Sequence, residues 1–435
     1  MHLSHLSLTN VRSFRRLELD LGPGSYVVVG ENAEGKSNLL ESMAMLATTR
    51  SVRPGADGEL ISWDALREEP LPAARLAGRV ESATGSDTVE IAVAARALTA
   101  GVGQEIDAGP PNVGSTGVEP AASSLPVQAP PTPPTTVQPP TSRRFRLNGV
   151  ARRASDLVGT LRAVLFSAAD LGVVAGPPAA RRRYLDLTLS QLDAGYLRGA
   201  QRYARVLQQR NSLLRRLAER RGGADELDFW DQELAAAGAV LVAGRARALS
   251  RLAAGAADRY AELAPGDAPL TPCYRPALPP DLAATLTGDG AASTTVEALA
   301  DALREALAER RREEVAAGMT RIGPHRDDVA FLLGGRELAA VGSRGQQRGA
   351  ALALRLAEVA LFRERTGEPP VLLLDDVLSE LDAARRARVI EAAYDVDQLF
   401  VTTPDAERPP RGTLPAERRL RLAGGELRLI ETDAP

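Results

Sequence analysis

Lysine is almost absent from this chain. Of its 53 lysine and arginine residues, one is a lysine, Lys36, and all the others are arginine. Cysteine is equally scarce. Cys273 stands alone, which excludes an internal disulfide and fits a reducing compartment. Aromatic residues make up 4% of the chain, so a core drawn from 44% apolar residues must be alanine, leucine and valine. There are three histidines and no His/Cys cluster, which argues against a structural metal site. No apolar run approaches the ~18 residues of a membrane span. The opening MHLSHLSLTNVRSF lacks the basic-then-apolar layout of a secretion signal. The expectation is a soluble, cytoplasmic protein with no membrane partner. A formal net charge of −3 argues against a globally basic nucleic-acid binder and leaves local basic patches open. The arginine bias, with abundant Ala, Gly and Pro, reads as GC-rich codon usage and carries no function by itself.

The one lysine stands in Gly30-Glu31-Asn32-Ala33-Glu34-Gly35-Lys36-Ser37. This is a full P-loop pattern, preceded by the apolar run SYVVV (25–29) and followed by the helical stretch NLLESMAMLATT. Glycines let such a loop wrap a phosphate chain with its N–H groups pointing inward, and the positive end of the next helix adds to the attraction. Lys36 would reach the β- and γ-phosphates as a compact charge on a flexible stem, a role that planar arginine does not fill. Ser37 would ligate Mg²⁺. A chain that writes arginine wherever it serves keeps lysine where it does not.

Along the chain, the first 30 residues read as strands, and 72–98 return to strand-like alternation. Residues 99–141 are rich in Pro, Ser and Thr and read as a disordered insertion, a tolerated surface loop rather than a docking segment. From about 178 to 318 the pattern is helical, with Gly222-Gly223 as the turn of a helical hairpin. A helix of ~40 residues there would be about 60 Å long and would either project or fold back. Strands return after 319: DDVAFLLGG, then a helix from Gly345 to Arg365, PPVLLLDD (369–376) as a buried strand, a helix over 382–393, and QLFVTT (398–403) as another buried strand. Strand–helix–strand alternation predicts a parallel sheet. The organisation expected is an α/β head made of 1–165 and 319–435, with a helical arm over 166–318.

The strand VLLLDD ends in Asp375 and Asp376, at the strand end where α/β ligands sit. Asp375 would hold Mg²⁺, mostly through water, and Asp376 would orient or deprotonate an attacking water. SELD (379–382) and the strand ending in Thr402-Thr403 strengthen the pattern. SRGQQ (343–347) opens a long helix. Alone, Ser343 would be an ordinary N-cap. Lying one helix and a GEPP turn before Asp375, it matches the signature of ABC-type ATPases.

That match implies an ABC-type P-loop ATPase head assembled from both chain ends, with the helical arm inserted. In that class the signature closes on the ATP of a second subunit. It therefore implies an ATP-sandwiched homodimer in which Ser343, Gly345 and Gln346 reach across, with Ser343 and Gln346 joining Asp376 as catalytic residues. The split head is similar to the SMC group rather than to a compact transporter ATPase. The opening LTNVRSFRRLELDLGPGSYVVVGENAEGKSNLLESMAMLATTRSVR narrows the resemblance, together with AVLFSAADLGVVAGPPAARRRYLD (163–186), YARVLQQRNSLL (203–214), DFWDQELAAAGA (228–239) and RIGPHRDDVAFLL (321–333). They resemble the RecF family of bacterial DNA repair proteins over nearly the whole chain outside 99–141.

The family resemblance implies an ATP-dependent protein, with Mg²⁺, that binds single-stranded and linear double-stranded DNA. It further implies action at gaps, support for RecA loading with RecR and RecO, and a part in the SOS response. Weak ATP hydrolysis would act as a switch. Three departures stand out: Glu34 where the family has Gln, Arg344 in place of a smaller or neutral residue, and Ala168 in place of Pro. His325, in GPHRDD, reads as a hydrogen-bonded structural histidine rather than a ligand or base. The triplets Arg181-Arg182-Arg183 and Arg310-Arg311-Arg312 read as solvated, carboxylate-paired helix faces rather than DNA contacts.

Overall fold

A computed structural model describes residues 1–51, 57–95, 141–221, 223, 225–286, 294–378, 381, 383–404 and 413–432. Thr141 opens a strand. The rest of the Pro-rich insertion lies outside the described residues, as do Gly222 of the hairpin turn and Ser379, Glu380 and Asp382 of SELD.

Two six-stranded sheets form the head. The first holds β1 (His2–Val11), β2 (Phe14–Asp20), β4 (Ala73–Ser82), β5 (Gly85–Ala95), β6 (Thr141–Leu147) and β7 (Val150–Arg152). Its order is β2-β1-β4-β5-β6-β7, antiparallel throughout. Its sequences alternate: Val89, Ile91 and Val93 are fully buried while their neighbours face outward, as one wet face requires.

The second sheet holds β3 (Gly24–Val29), β8 (Ala163–Phe166), β12 (Val371–Asp375), β13 (Gln398–Thr403), β14 (Glu417–Ala423) and β15 (Glu426–Thr432), in the order β15-β14-β3-β13-β12-β8. All its pairs are parallel except β14–β15. Its central strands are continuous apolar runs because both faces are covered. Tyr26, Val28, Leu373 and Phe400 face a core shared with the first sheet, whereas Val27, Val29, Leu372, Leu374, Leu399 and Val401 face the helical layer. The helix Lys36–Thr48 contacts strands of both sheets and is buried along almost its whole length. Gln398 ties the sheets at one end: its side chain accepts from Leu3 N at 2.9 Å and donates to Leu3 O and Gly22 O, each at 2.9 Å.

The helical region contains Pro178–Leu192, Ala194–Ala218, Glu226–Leu263 and Val296–Ala317. The 38-residue member is about 57 Å long at 1.5 Å per residue. It does not project freely. It packs along the helix Arg344–Thr366, so the arm lies back on the head and shares its core. Alanines 235, 239, 243 and 246 are buried on this helix, and small side chains of this kind permit close helix approach.

Several strands carry no clear sequence signal: β8, β14, β15 and, inside the helical stretch, a further one. β9 (Leu270–Arg275) interrupts the stretch read as helical and pairs with β10 (Asp328–Leu333), which pairs in turn with β11 (Arg336–Glu337). Prolines on both sides of LTPCYR stop a helix, and Leu270, Pro272 and Tyr274 are buried alternately. Thus β9 and β10 join chain segments on either side of residue 319, and β8 runs through residue 166. Among the described residues, no helix is long and apolar enough to cross a membrane, and no group of three or more His, Cys, Asp and Glu residues could hold a metal ion.

Candidate functional site

The loop Gly30–Gly35 joins β3 to the helix that begins at Lys36. The turn requires left-handed backbone at Ala33 (φ 70°) and Gly35 (φ 106°). Any side chain at Gly35 would collide with Ser13 Oγ, and a Cβ at Gly30 would lie 2.5 Å from Leu422 O. The loop is therefore gripped from two sides, by the β1–β2 turn and by β14. Asn38 donates to Ser13 Oγ at 3.1 Å, and Glu34 Oε2 accepts from Gly424 N at 2.6 Å. Glu34 is thus bonded to the turn between β14 and β15.

Lys36 is 8% exposed, and its ammonium donates to Gly30 O at 2.7 Å and Glu31 O at 2.8 Å. The loop carbonyls hold the charge beside the loop. No side chain caps this helix, so its first-turn N–H groups and its dipole favour an anion at the same place.

The second half of the site arrives from the far end of the chain. Ser37 Oγ donates to Asp375 Oδ1 at 2.9 Å, and Thr402 Oγ1 donates to the same oxygen at 2.8 Å. Thr402 also accepts from Asp376 N at 2.9 Å. Parallel register sets Asp375 directly beside Thr402. Asp376 adopts φ 54°, a left-handed conformation that costs a non-glycine residue about 1–3 kcal/mol. The strand ends there, and this turn carries Asp376 out of the sheet. Asp375 and Asp376, with Ser167, Ala168, Arg348 and Ala351, line one cavity.

Thr402 is a functional candidate that the sequence reading named only as a strand end. Its signal is a hydroxyl at the C-terminal end of the strand next to the carboxylate strand. Arg348 had no such signal. It enters because it lies on the signature helix, one turn past Ser343.

The signature turn is built separately. Ser343 caps the helix Arg344–Thr366: its hydroxyl accepts from Gln346 N at 3.2 Å, and Gln346 Oε1 accepts from Ser343 N at 3.0 Å. Gln346 Nε2 also donates to Asp267 Oδ2 at 3.3 Å, an oxygen that accepts from Tyr260 OH at 2.8 Å. Within one chain, Ser343 and Gln346 do not hydrogen-bond to Lys36, Ser37, Asp375 or Asp376. Gly345 lies near Arg385, and Ser343 and Arg344 are exposed. The structure therefore gathers Gly30, Glu31, Asn32, Ala33, Glu34, Gly35, Lys36, Ser37, Asp375 and Asp376 at one place. Ser343, Gly345 and Gln346 stand apart on an open turn.

His325 is half-buried, with Nδ1 2.7 Å from Tyr203 OH and Nε2 3.1 Å from Thr320 O. The carbonyl requires Nε2 to carry the proton, so Nδ1 accepts from the tyrosine. Burial pushes the His325 pKa down to about 4; repulsion from Arg326, Arg182 and Arg210 adds to this, and the bond to Thr320 opposes it. The first arginine triplet is less solvated than its sequence suggests, whereas Arg310 and Arg312 are exposed. Arg181 forms a two-pronged pair with Asp328 at 2.6 and 3.0 Å, and Arg182 donates to Asp327 O at 2.6 Å. Arg311 bonds Asp228 and Asp231 at 2.5 and 2.7 Å.

A family model described as an AAA domain matches residues 5–83, which contain the loop. The chain is 42% identical over 433 residues to the DNA replication and repair protein RecF of Roseiflexus castenholzii, covering 98% of this chain and 99% of that one. It is also 42% identical to RecF of Chloroflexus aurantiacus, with the same coverage. RecF of a Synechococcus species is 34% identical over 430 residues, covering 98% and 97% of the two chains. The solved structure of the recombination mediator protein RecF with ATP, in the RecFOR pathway, superposes with a TM-score of 0.77 at 25% identity, covering 99% of this chain and 98% of that one.

Proposed function

The chain belongs to the RecF family of DNA replication and repair proteins, and from that premise we propose that it is an ATP-driven clamp on DNA. It binds single-stranded and linear double-stranded DNA and acts at gaps. With RecR and RecO it supports RecA loading and the SOS response in the cytoplasm. ATP brings two copies together around DNA, and slow hydrolysis lets them part. In this reading residues 1–165 and 319–435 make the head, and 166–318 the arm that packs on it.

The residues present fit ATP with Mg²⁺. The uncapped helix start and the buried Lys36 suit a phosphate chain, and a serine hydroxyl beside a carboxylate suits a hard cation. Ser37 and Asp375 would hold the metal, which, when bound, neutralises charge on the transferring phosphoryl group. Lys36 holds the β- and γ-phosphates. Thr402 fixes Asp375 and, through the Asp376 N–H, the turn that carries the second carboxylate. Asp376 orients the attacking water or takes its proton.

The observation that carries this reading is the exposed Ser343 turn, whose serine hydroxyl, among the described residues, bonds only within its own capping box while the P-loop and carboxylate half is complete in one chain. A second copy supplies the missing face: Ser343, Gly345 and Gln346 of one copy close on the nucleotide of the other. The test is sedimentation velocity of the chain alone, with ATP and Mg²⁺, and with gapped DNA added, alongside ATP hydrolysis with and without DNA. The reading expects the mass to double with ATP, DNA affinity to rise with it, and hydrolysis to be slow. A chain that binds ATP and DNA yet stays monomeric would contradict it.

A further inference from the structure

Three arginines from three separate elements converge at the far end of the P-loop helix. Arg50 follows the helix end. Arg143, on β6, donates to Thr49 O at 3.0 Å, and Arg183, on Pro178–Leu192, donates to Ser51 O at 2.5 Å. The two guanidinium groups thus flank Arg50 on both sides. A helix of 13 residues separates this place from the nucleotide loop by about 20 Å.

The nearby carboxylates are already engaged. Glu41 takes Arg12 at 3.0 Å and the Ser51 hydroxyl, and Asp186 takes Arg245 at 2.9 Å. Neither Arg50 nor Arg183 forms an ion pair with a carboxylate among the described residues. Arg50 keeps an open surface, with Arg143 and Arg183 half-buried beside it. Enough protein still crowds Arg50 that loss of water is the larger cause lowering its pKa, repulsion from Arg143 is the second, and Asp186 opposes both. Arg183 is lowered in the same way, by burial first and then by Arg50. Like charges held together against their repulsion, open on one side, favour a multivalent anion.

We propose that Arg50, Arg143 and Arg183 form a phosphate site that takes a backbone phosphate of DNA, distinct from the nucleotide loop. This rests on the reading of the chain as a DNA-binding protein. It locates one contact on a surface shared by the P-loop helix, the antiparallel sheet and the start of the arm. Guanidinium groups suit the assignment because they pair with phosphate oxygens in a fork. Arg50 lies just past the C-terminal end of the helix that Lys36 opens, so a bound phosphate and a bound nucleotide would brace its two ends.

The test is a titration of gapped duplex DNA, followed by fluorescence anisotropy in ATP over a range of salt, for wild type, Arg50→Ala, Arg183→Ala and Arg50→Lys. ATP binding measured on each variant shows that it is folded. Each alanine variant is expected to bind DNA several-fold more weakly, with the slope of log affinity against log salt smaller by about one, and to bind ATP as wild type does. Arg50→Lys should restore the slope, because the charge remains. Alanine variants with wild-type affinity and slope, beside a wild type that binds DNA, would overturn the site and leave DNA binding standing. A wild type that fails to bind DNA would overturn the underlying reading, and this site with it.

Discussion

Ser37 and Asp375 share a hydrogen bond of 2.9 Å although 338 positions separate them in the chain. One belongs to the first turn of the helix that follows β3 and the other to the end of β12, and β13 lies between those strands in the sheet. The candidate site therefore exists only when both chain ends have folded together. Such non-local pairing is slow to form, and it makes the site a reporter of the finished head.

Lys36→Arg should abolish ATP-driven association while leaving the fold intact. The ammonium is buried between Gly30 O and Glu31 O, and a wider planar group does not fit that position. Light scattering with and without ATP should find the variant at its nucleotide-free mass, with a melting temperature close to wild type. An unchanged, ATP-dependent increase in mass would contradict the role given to Lys36.

Asp376→Asn should bind ATP, associate, and hydrolyse about 10²–10⁴-fold more slowly, as loss of a positioned base or water-orienting group does. The contacts of Lys36, Ser37 and Asp375 remain whole. If hydrolysis times release, the variant should also leave gapped DNA more slowly in ATP. Dissociation at the wild-type rate, despite slow hydrolysis, would show that hydrolysis does not time release.

His325 gives a pH dependence whose sign is fixed. Its folded-state pKa of about 4 lies below the ordinary 6.5. The stability it contributes is fully present above pH 6.5 and is lost as pH falls toward 4. At roughly 1.4 kcal/mol per unit, wild type should lose about 2 kcal/mol more than His325→Gln between pH 7 and pH 5. Urea unfolding of both proteins at the two pH values checks this; equal losses would mean that His325 takes up its proton as readily folded as unfolded.

Much of the head was legible because its strands announce themselves. VLLLD and QLFVTT are built on the unbroken apolar runs VLLL and LFV, as strands covered on both faces require, and both lie where the sequence puts them. β9 was hidden because six residues between prolines inside a helical stretch leave too short a pattern to separate from a loop. The path of the arm was open as well: apolar periodicity predicts which face of the long helix is buried, not that Arg344–Thr366 is what buries it. At the site, the loop and the carboxylates were readable from residue type and spacing. Thr402 was not, because its role comes from register with Asp375 across two strands. The partners of Arg181 and Arg182 were likewise invisible, since Asp327 and Asp328 are distant in sequence.

The central claim is that one copy's P-loop works with the other copy's Ser343 turn. Mixing two inactive chains tests it most directly. Lys36→Arg damages the loop, and Ser343→Arg damages the turn while leaving nucleotide binding in the monomer; losing its capping hydroxyl costs the helix about 1 kcal/mol. In a mixed pair, one composite site carries both lesions and the other carries neither. ATP hydrolysis and ATP-dependent association should therefore be absent from each variant alone and return on mixing. If Ser343→Arg alone loses nucleotide binding, or if the mixture stays as inactive as its parts, the two residues serve the same chain and the sandwich is wrong.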